Sequence, residues 1–207
     1  MRVRAGPSRS RLRPDRENAL FATVLDLLRE VGYEALTIDA VAARARTSKA
    51  TLYRRWPGKP QLVVAALRHH KPLSLHDVDT GSLRADLVET ARRIGAVAVE
   101  DSALMAAMAH AAHTSDELAQ AQRDVLMQPE TDAINGMLAR AVDRGEVAAD
   151  NPALPYCPQL FVSAVLARPL LEGEHAGAQH LVRYVDAVVL PALGLPPHRS
   201  EPRGESS

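Results

Sequence analysis

The chain has one cysteine, Cys157, in 207 residues. No disulfide can form within it, which excludes a disulfide scaffold and fits a reducing cytoplasm. Aromatic residues are scarce at 3%. The apolar content rests on Ala, Leu and Val, which suits helices more than sheets. Strand-type alternation persists nowhere, and no fixed-period repeat is evident. No apolar run approaches the roughly 18 residues of a membrane span. The basic start "MRVRAGPSRSRLRP" lacks the apolar stretch of a signal peptide. Also missing are a Gly-rich phosphate loop, a His-Glu-x-x-His pair and a nucleophile elbow. These absences predict a soluble cytoplasmic protein with no membrane partner, not an enzyme, with no cofactor and no metal.

Net charge is absent too, because two opposite surpluses cancel. Residues 1–71 hold fifteen Lys and Arg against six Asp and Glu, and residues 72–207 hold ten against nineteen. Such a split suggests that the first third meets a polyanion and the rest does something else.

The pattern predicts an all-α chain in two parts: an N-terminal three-helix helix-turn-helix domain and a C-terminal helical ligand-binding and dimerisation domain. Residues 1–15 are a basic arm of disordered composition. Whether its arginines, Arg2 to Arg13, contact a minor groove or phosphates is open at this stage. Residues 16–70 hold short helices. In the first, Leu20, Val24, Leu27, Leu28 and Val31 share one face, with Asp15 as a start signal and Gly32 as an end. Thr37 and Ser48 are N-caps of the next two, and Pro60 sits in the first turn of a fourth. Residues 71–81 read as a linker and 194–207 as a frayed tail. Between them, longer helices are expected over 82–100, 102–113, 115–144, 156–172 and 176–193, the third bent or divided by Pro129 and Gly136.

One stretch carries the functional signal. "TSKATLYRRW", Thr47 to Trp56, follows a short helix and a tight turn, the form of a helix-turn-helix. On a helix, Leu52 and Trp56 share one edge and fasten it to the protein. Lys49, Tyr53, Ala50 and Arg54 point away from that edge, with Thr51 at the border. Lysine and arginine suit phosphates or guanine edges, and hydroxyls suit phosphates. Ala50 lets the backbone approach a base. Thr37 and Lys59 stand at the starts of the flanking helices, where free amides favour phosphate.

The segment "TIDAVAARARTSKATLYRRWPGKPQLVVAAL" resembles the DNA-binding signature of the tetracycline-repressor (TetR) family of bacterial transcriptional regulators. Ser48, Lys49, Thr51, Leu52, Tyr53, an aromatic at Trp56, Pro57, Lys59 and Leu62 match its pattern, and the resemblance covers residues 16–70. Two features depart from it. Ala45-Arg46-Thr47 stands where the family has Ala-Gly-Val or similar. Arg46 is therefore either a strained left-handed residue or a further DNA contact in a different turn. Trp56 and Arg55 stand where Phe and His are usual. The resemblance implies a homodimeric repressor that grips an inverted-repeat operator in double-stranded DNA through Thr37, Arg46, Thr47, Ser48, Lys49, Ala50, Thr51, Tyr53, Arg54 and Lys59. A small apolar effector would release it.

For the remaining chain the candidates are broader. Met105, Met108, His110, His113, Met127 and Met137 are candidate effector contacts, methionine being adaptable; plain core packing is the alternative. His110 and His113 form a metal-like pair with Asp116 or Glu117 nearby, which by itself is weak. Leu160, Phe161, Ala164, Val165, Leu181, Val185, Val188 and Val189, on two helices apolar over broad faces, are candidates for the dimer interface. A regulator that answers to no small molecule is the nearest alternative. An enzyme with an incidental basic third is a different class, disfavoured by the complete motif and the absent catalytic signatures.

Overall fold

The computed structural model describes residues 14–70, 73–100 and 102–196, and the expected arm contacts of Arg2 to Arg13 lie outside them. The regular structure of the described residues is helical, with no strand. The first four helices are α1 (Pro14–Ala35), α2 (Ile38–Arg44), α3 (Lys49–Arg55) and α4 (Lys59–His70). Helices α5 (Leu83–Glu100), α6 (Ser102–Thr114), α7 (Asp116–Gln122) and α8 (Gln128–Asp143) follow. The last are α9 (Cys157–Glu172), α10 (Ala178–Tyr184) and the single turn α11 (Leu190–Ala192).

The helix boundaries follow from local chemistry. Gly32 breaks α1 at φ 76° and ψ 171°, a region essentially restricted to glycine. That break reassigns one expected core position. Val31 is exposed, and Tyr33, beyond the kink, turns inward instead. Asp15 lies inside the first turn of α1 rather than ahead of it. Thr37 and Ser48 cap α2 and α3, their hydroxyl oxygens accepting from the amides of Ala40 and Thr51 at 3.1 and 3.2 Å.

Prolines shape the later helices. Pro129 has no amide hydrogen, so the Val125 carbonyl four residues earlier lacks its α-helical donor. The chain widens there into a π-turn, Arg123–Met127, between α7 and α8. Arg68 of α4 donates to the freed Val125 carbonyl at 3.2 Å. A second π-turn, Val185–Val189, precedes Pro191 at the same offset. Gly136, the other expected bend, sits inside the continuous helix α8.

Two apolar clusters hold the molecule. The first joins α1 to α4 with Leu104, Met108 and Ala111 of α6 and Leu118 and Ala121 of α7. The second gathers α5, α8, α9 and α10 with Leu75 and Val78 of the segment before α5. That segment is therefore bound down: Arg93 also bonds Asp77 and the Ser74 carbonyl, and Thr80 bonds the buried Asp86 carboxylate. Cys157 is buried in the second cluster, and burial pushes its thiol up to about 12. It stays a protonated, unreactive apolar side chain at neutral pH.

Helices α5 and α10 approach closely at Gly95. A Cβ there would lie 2.3 Å from the Ala178 nitrogen and 2.5 Å from its Cα. Gly136 has only the Arg140 guanidinium, 3.8 Å from such a Cβ. The two helical glycines should respond oppositely to alanine. Gly95→Ala should destabilise by about 1–3 kcal/mol through overpacking, and Gly136→Ala should stabilise by up to ~1 kcal/mol through helix propensity. Paired thermal melts read both signs, and an equal response at the two positions would contradict the close contact.

Candidate nucleic-acid interface

The reading unit is built from the inside outward. Leu52 is fully buried and Trp56 nearly so. Trp56 meets Phe21 of α1 edge-on, with ring centroids 5.5 Å apart. Arg55 stacks over Trp56 at 5.1 Å and bonds Glu17 of α1 at 2.7 Å. Arg44 of α2 grips Glu30 of α1 through two bonds of 2.7 and 2.8 Å, and this bonding holds the Glu30 carboxyl below its ordinary range. So α2 and α3 are each tied to α1 by a guanidinium as well as by apolar packing.

The turn between them is a Schellman motif. Thr47 N–H bonds the Ala42 carbonyl and Arg46 N–H the Ala43 carbonyl, at 3.0 and 3.3 Å. That geometry needs a left-handed residue after the cap, and Arg46 takes it at φ 49°. The strained alternative of the sequence is therefore the one observed, and the side chain is still exposed.

The outward edge of α3 presents Lys49, Ala50, Tyr53 and Arg54, all exposed, with Thr51 half-buried. Arg46 and Arg54 make no hydrogen bond or ion pair among the described residues. Lys49 differs: its ammonium lies 2.5 Å from the Asp39 carboxylate on α2. The Ser48 hydroxyl is committed to Thr51, at 2.8 Å from its Oγ1 and 3.2 Å from its amide. Lys59 begins α4, as expected, and its side chain is occupied within the protein. Its ammonium donates to the Tyr33 and Glu34 carbonyls at 2.9 and 3.3 Å and lies over the Tyr33 ring. The loose carbonyls at the end of α1 attract the cation, which leaves only the backbone start of α4 for an outside anion.

The same corner joins the reading unit to the following helices. Thr114, at the end of α6, donates to Glu34 at 3.2 Å. Burial pushes the Tyr33 phenol up, against a hydrogen bond with Ser115, the N-cap of α7, that pulls it down.

The other candidates are not brought together as expected. Met108 is buried in the first cluster and Met137 in the second. His110, His113 and Met127 are exposed, and the Met105 side chain lies outside those described. Of these candidates, Met108, His110, His113, Met127 and Met137 do not line the cleft of about 620 Å³ between residues 77–93 and α10, whose walls carry Asp77, Asp79, Glu89, Arg84, Arg92 and Arg93. On the last long helices, Phe161, Ala164, Leu181, Val185 and Val189 are buried inside the subunit, and Leu160 and Val165 pack half-buried beside them. A side chain already covered by its own core has no surface left for a partner. Val188 alone of that set stays exposed. The outer apolar face of α9 is instead Val162, Leu166 and Leu170, exposed by 47, 50 and 86%. Their spacing of four was visible in the sequence, but so was the inward face, and periodicity does not say which side is in.

The turn yields a direct test. Arg46→Gly relieves the left-handed strain at some cost in unfolded-chain entropy, and should raise stability by about 0.5–1 kcal/mol. If Arg46 also neutralises a phosphate, the slope of log affinity against log salt should shallow by about 1. A thermal melt and a salt titration separate the two effects, and a drop in stability would contradict the strain.

Comparison with known proteins agrees with this geometry. The family model described as bacterial regulatory proteins, tetR family, matches residues 20–66. The model described as tetracyclin repressor-like, C-terminal domain, matches residues 77–188. An HTH-type transcriptional regulator of Mycobacterium tuberculosis is 36% identical over 182 residues, covering 86% of this chain and 88% of that one. The DNA-binding transcriptional repressor TetR of Mycobacteroides abscessus is 38% identical over 143 residues, covering 65% and 72%. Among solved structures, a TetR family transcription regulator aligns at a TM-score of 0.62 and 28% identity, over 82% of this chain and 95% of that one. The Thermus thermophilus FadR, a TetR family repressor in complex with lauroyl-CoA, shares the fold at a TM-score of 0.57 and 18% identity, over 91% and 100%. With both parts matched, and a relative above 30% identity aligned along most of its length, this chain belongs to the TetR family of DNA-binding transcriptional regulators.

Proposed function

We propose that the protein is a homodimeric repressor that reads an inverted-repeat operator with α3 and is released from it by a small-molecule effector. The observation that carries this reading is the outward edge of α3. Tyr53 and Arg54 stand exposed beside Arg46, and both arginines lack a protein partner among the described residues. A guanidinium held this way suits a guanine edge or a phosphate. Residues 16–70 serve as the DNA-binding unit and 82–193 as the effector-binding and dimerisation unit, with Thr37, Thr47, Ser48, Ala50 and Thr51 flanking the reading edge. A homologue named as a repressor supports the sign of regulation.

Two reading helices must stand ~34–36 Å apart to enter successive major grooves. The exposed face Val162, Leu166 and Leu170 on α9, with Val188 beyond α10, supports pairing with a second copy. Release requires an effector that favours the DNA-incompetent arrangement. Support for such coupling is the way α6 and α7 share a core with α1 and α4 and touch α1 at Glu34 and Tyr33, while Arg68 of α4 bonds the π-turn that follows α7. The lauroyl-CoA held by the Thermus thermophilus repressor is an example of an effector-sized ligand in this fold.

Selection of bound fragments from random duplex DNA tests the reading head. An enriched inverted repeat is expected, and Arg54→Ala should weaken binding to it by about 1–3 kcal/mol. Binding without enrichment would overturn sequence-specific regulation. For the dimer, Leu166→Asp should convert the protein to monomers in sedimentation and abolish tight operator binding while leaving the fold intact by circular dichroism. A dimer that survives this change would move the interface off α9.

A further inference from the structure

We propose that Asp39 limits how strongly this protein holds DNA of arbitrary sequence, by keeping the Lys49 ammonium on α2 until operator contacts replace the pair. The proposal rests on α3 being the DNA-facing helix. Lys49 and Asp39 belong to different helices, ten residues apart, and their charged atoms lie 2.5 Å from each other. Both side chains are more than half exposed, at 57 and 63%. Glu17 and Glu30 pair with Arg55 and Arg44 to tie α3 and α2 to α1. Asp39 pairs with a residue of the reading edge itself, so it places a negative charge where phosphates must come.

Two physical consequences follow. Binding to random DNA is driven by neutralising phosphates and releasing counterions. A lysine held by a carboxylate contributes little to it until the pair opens. Operator DNA offers base-edge contacts in addition, and these compensate for opening the pair. Arg46 and Arg54 carry no such restraint, so Lys49 is the cation whose availability differs between the two kinds of DNA. An exposed ion pair is weak, so this is a discrimination of a few-fold rather than a lock. A purely structural role for Asp39 would rest on the favourable placement of a carboxylate in the first turn of α2, at the positive end of the helix dipole. That role would lower thermal stability on substitution and leave the salt dependence of DNA binding unchanged.

The experiment compares wild type with Asp39→Asn, Asp39→Glu, Lys49→Ala and the Asp39→Asn/Lys49→Ala double variant. Fluorescence anisotropy is read over a series of salt concentrations on a random-sequence duplex about three helical turns long (~30 base pairs), and on a duplex recovered by selection with the wild type. Asp39→Asn should tighten binding to the random duplex about 3–10-fold and steepen its salt slope by about 1. It should tighten the selected duplex less, so that selectivity falls. Asp39→Glu, which keeps the charge, should match wild type. In the Lys49→Ala background, Asp39→Asn should add nothing to the slope. An unchanged slope for Asp39→Asn, equal tightening on both duplexes, or the same steepening without Lys49 would each overturn the proposal. A wild type that binds no duplex would overturn the reading of α3 itself, a separate and recognisable failure.

Discussion

Helix α4 is buried on more than one side, and the arrangement of the molecule depends on that. Leu62, Val63, Val64, Ala66 and Leu67 are all buried within a single helix of twelve residues. An amphipathic helix lying on one neighbour would bury a narrower stripe. Here one side packs on α1 and another on α7 and the π-turn, so the apolar cluster that supports the reading helix continues into α6 and α7. A displacement of those helices cannot leave α4 in place without opening a cavity, and cavities in close-packed cores are costly. Two polar contacts mark the path. Arg68 holds the carbonyl that Pro129 leaves without a donor, and Lys59 holds the carbonyl end of α1 on which Thr114 rests.

The electrostatics of the reading unit show a division of labour among residues of one charge. The basic composition of the first third suggests a uniformly cationic surface. The structure instead assigns Arg44 and Arg55 to fastening α2 and α3 onto α1, and Lys59 to closing α1. Arg46 and Arg54 make no such contact among the described residues, and Lys49 is engaged by Asp39. Guanidinium groups suit both tasks, since their planar fork can meet a carboxylate and their face can rest on Trp56. Counting positive charges therefore overstates the binding surface.

The helix-turn-helix was legible because its signals are local. A cap hydroxyl acts within three residues, a Schellman turn within six, and the Leu52–Trp56 spacing within one turn of helix. Thr37, Ser48, Gly32, Leu52 and Trp56 accordingly do what their positions imply. The interface candidates on α9 and α10 were not legible in the same way. Both faces of α9 are apolar, so Phe161 and Val162 are equivalent in sequence, although the first is buried and the second exposed. The sequence likewise does not say which cluster a methionine joins. Met108 and Met137 both face inward, but toward different clusters.

By itself the amino-acid sequence determined the helical class, the caps that begin α2 and α3, the glycine break in α1, and the reading helix with its fastened and outward edges, because each rests on short-range periodicity, capping and turn chemistry. It also contained Pro129 and Pro191, whose missing amide hydrogens lie behind both π-turns. Only the tertiary structure decided which cations are occupied, which side of α9 is covered, and that α6 and α7 share their core with the DNA-reading unit. Those outcomes depend on which residues distant in sequence come within 3–4 Å of one another, as Arg55 does with Glu17 and Arg68 with Val125. Periodicity along a single helix carries no record of its neighbours.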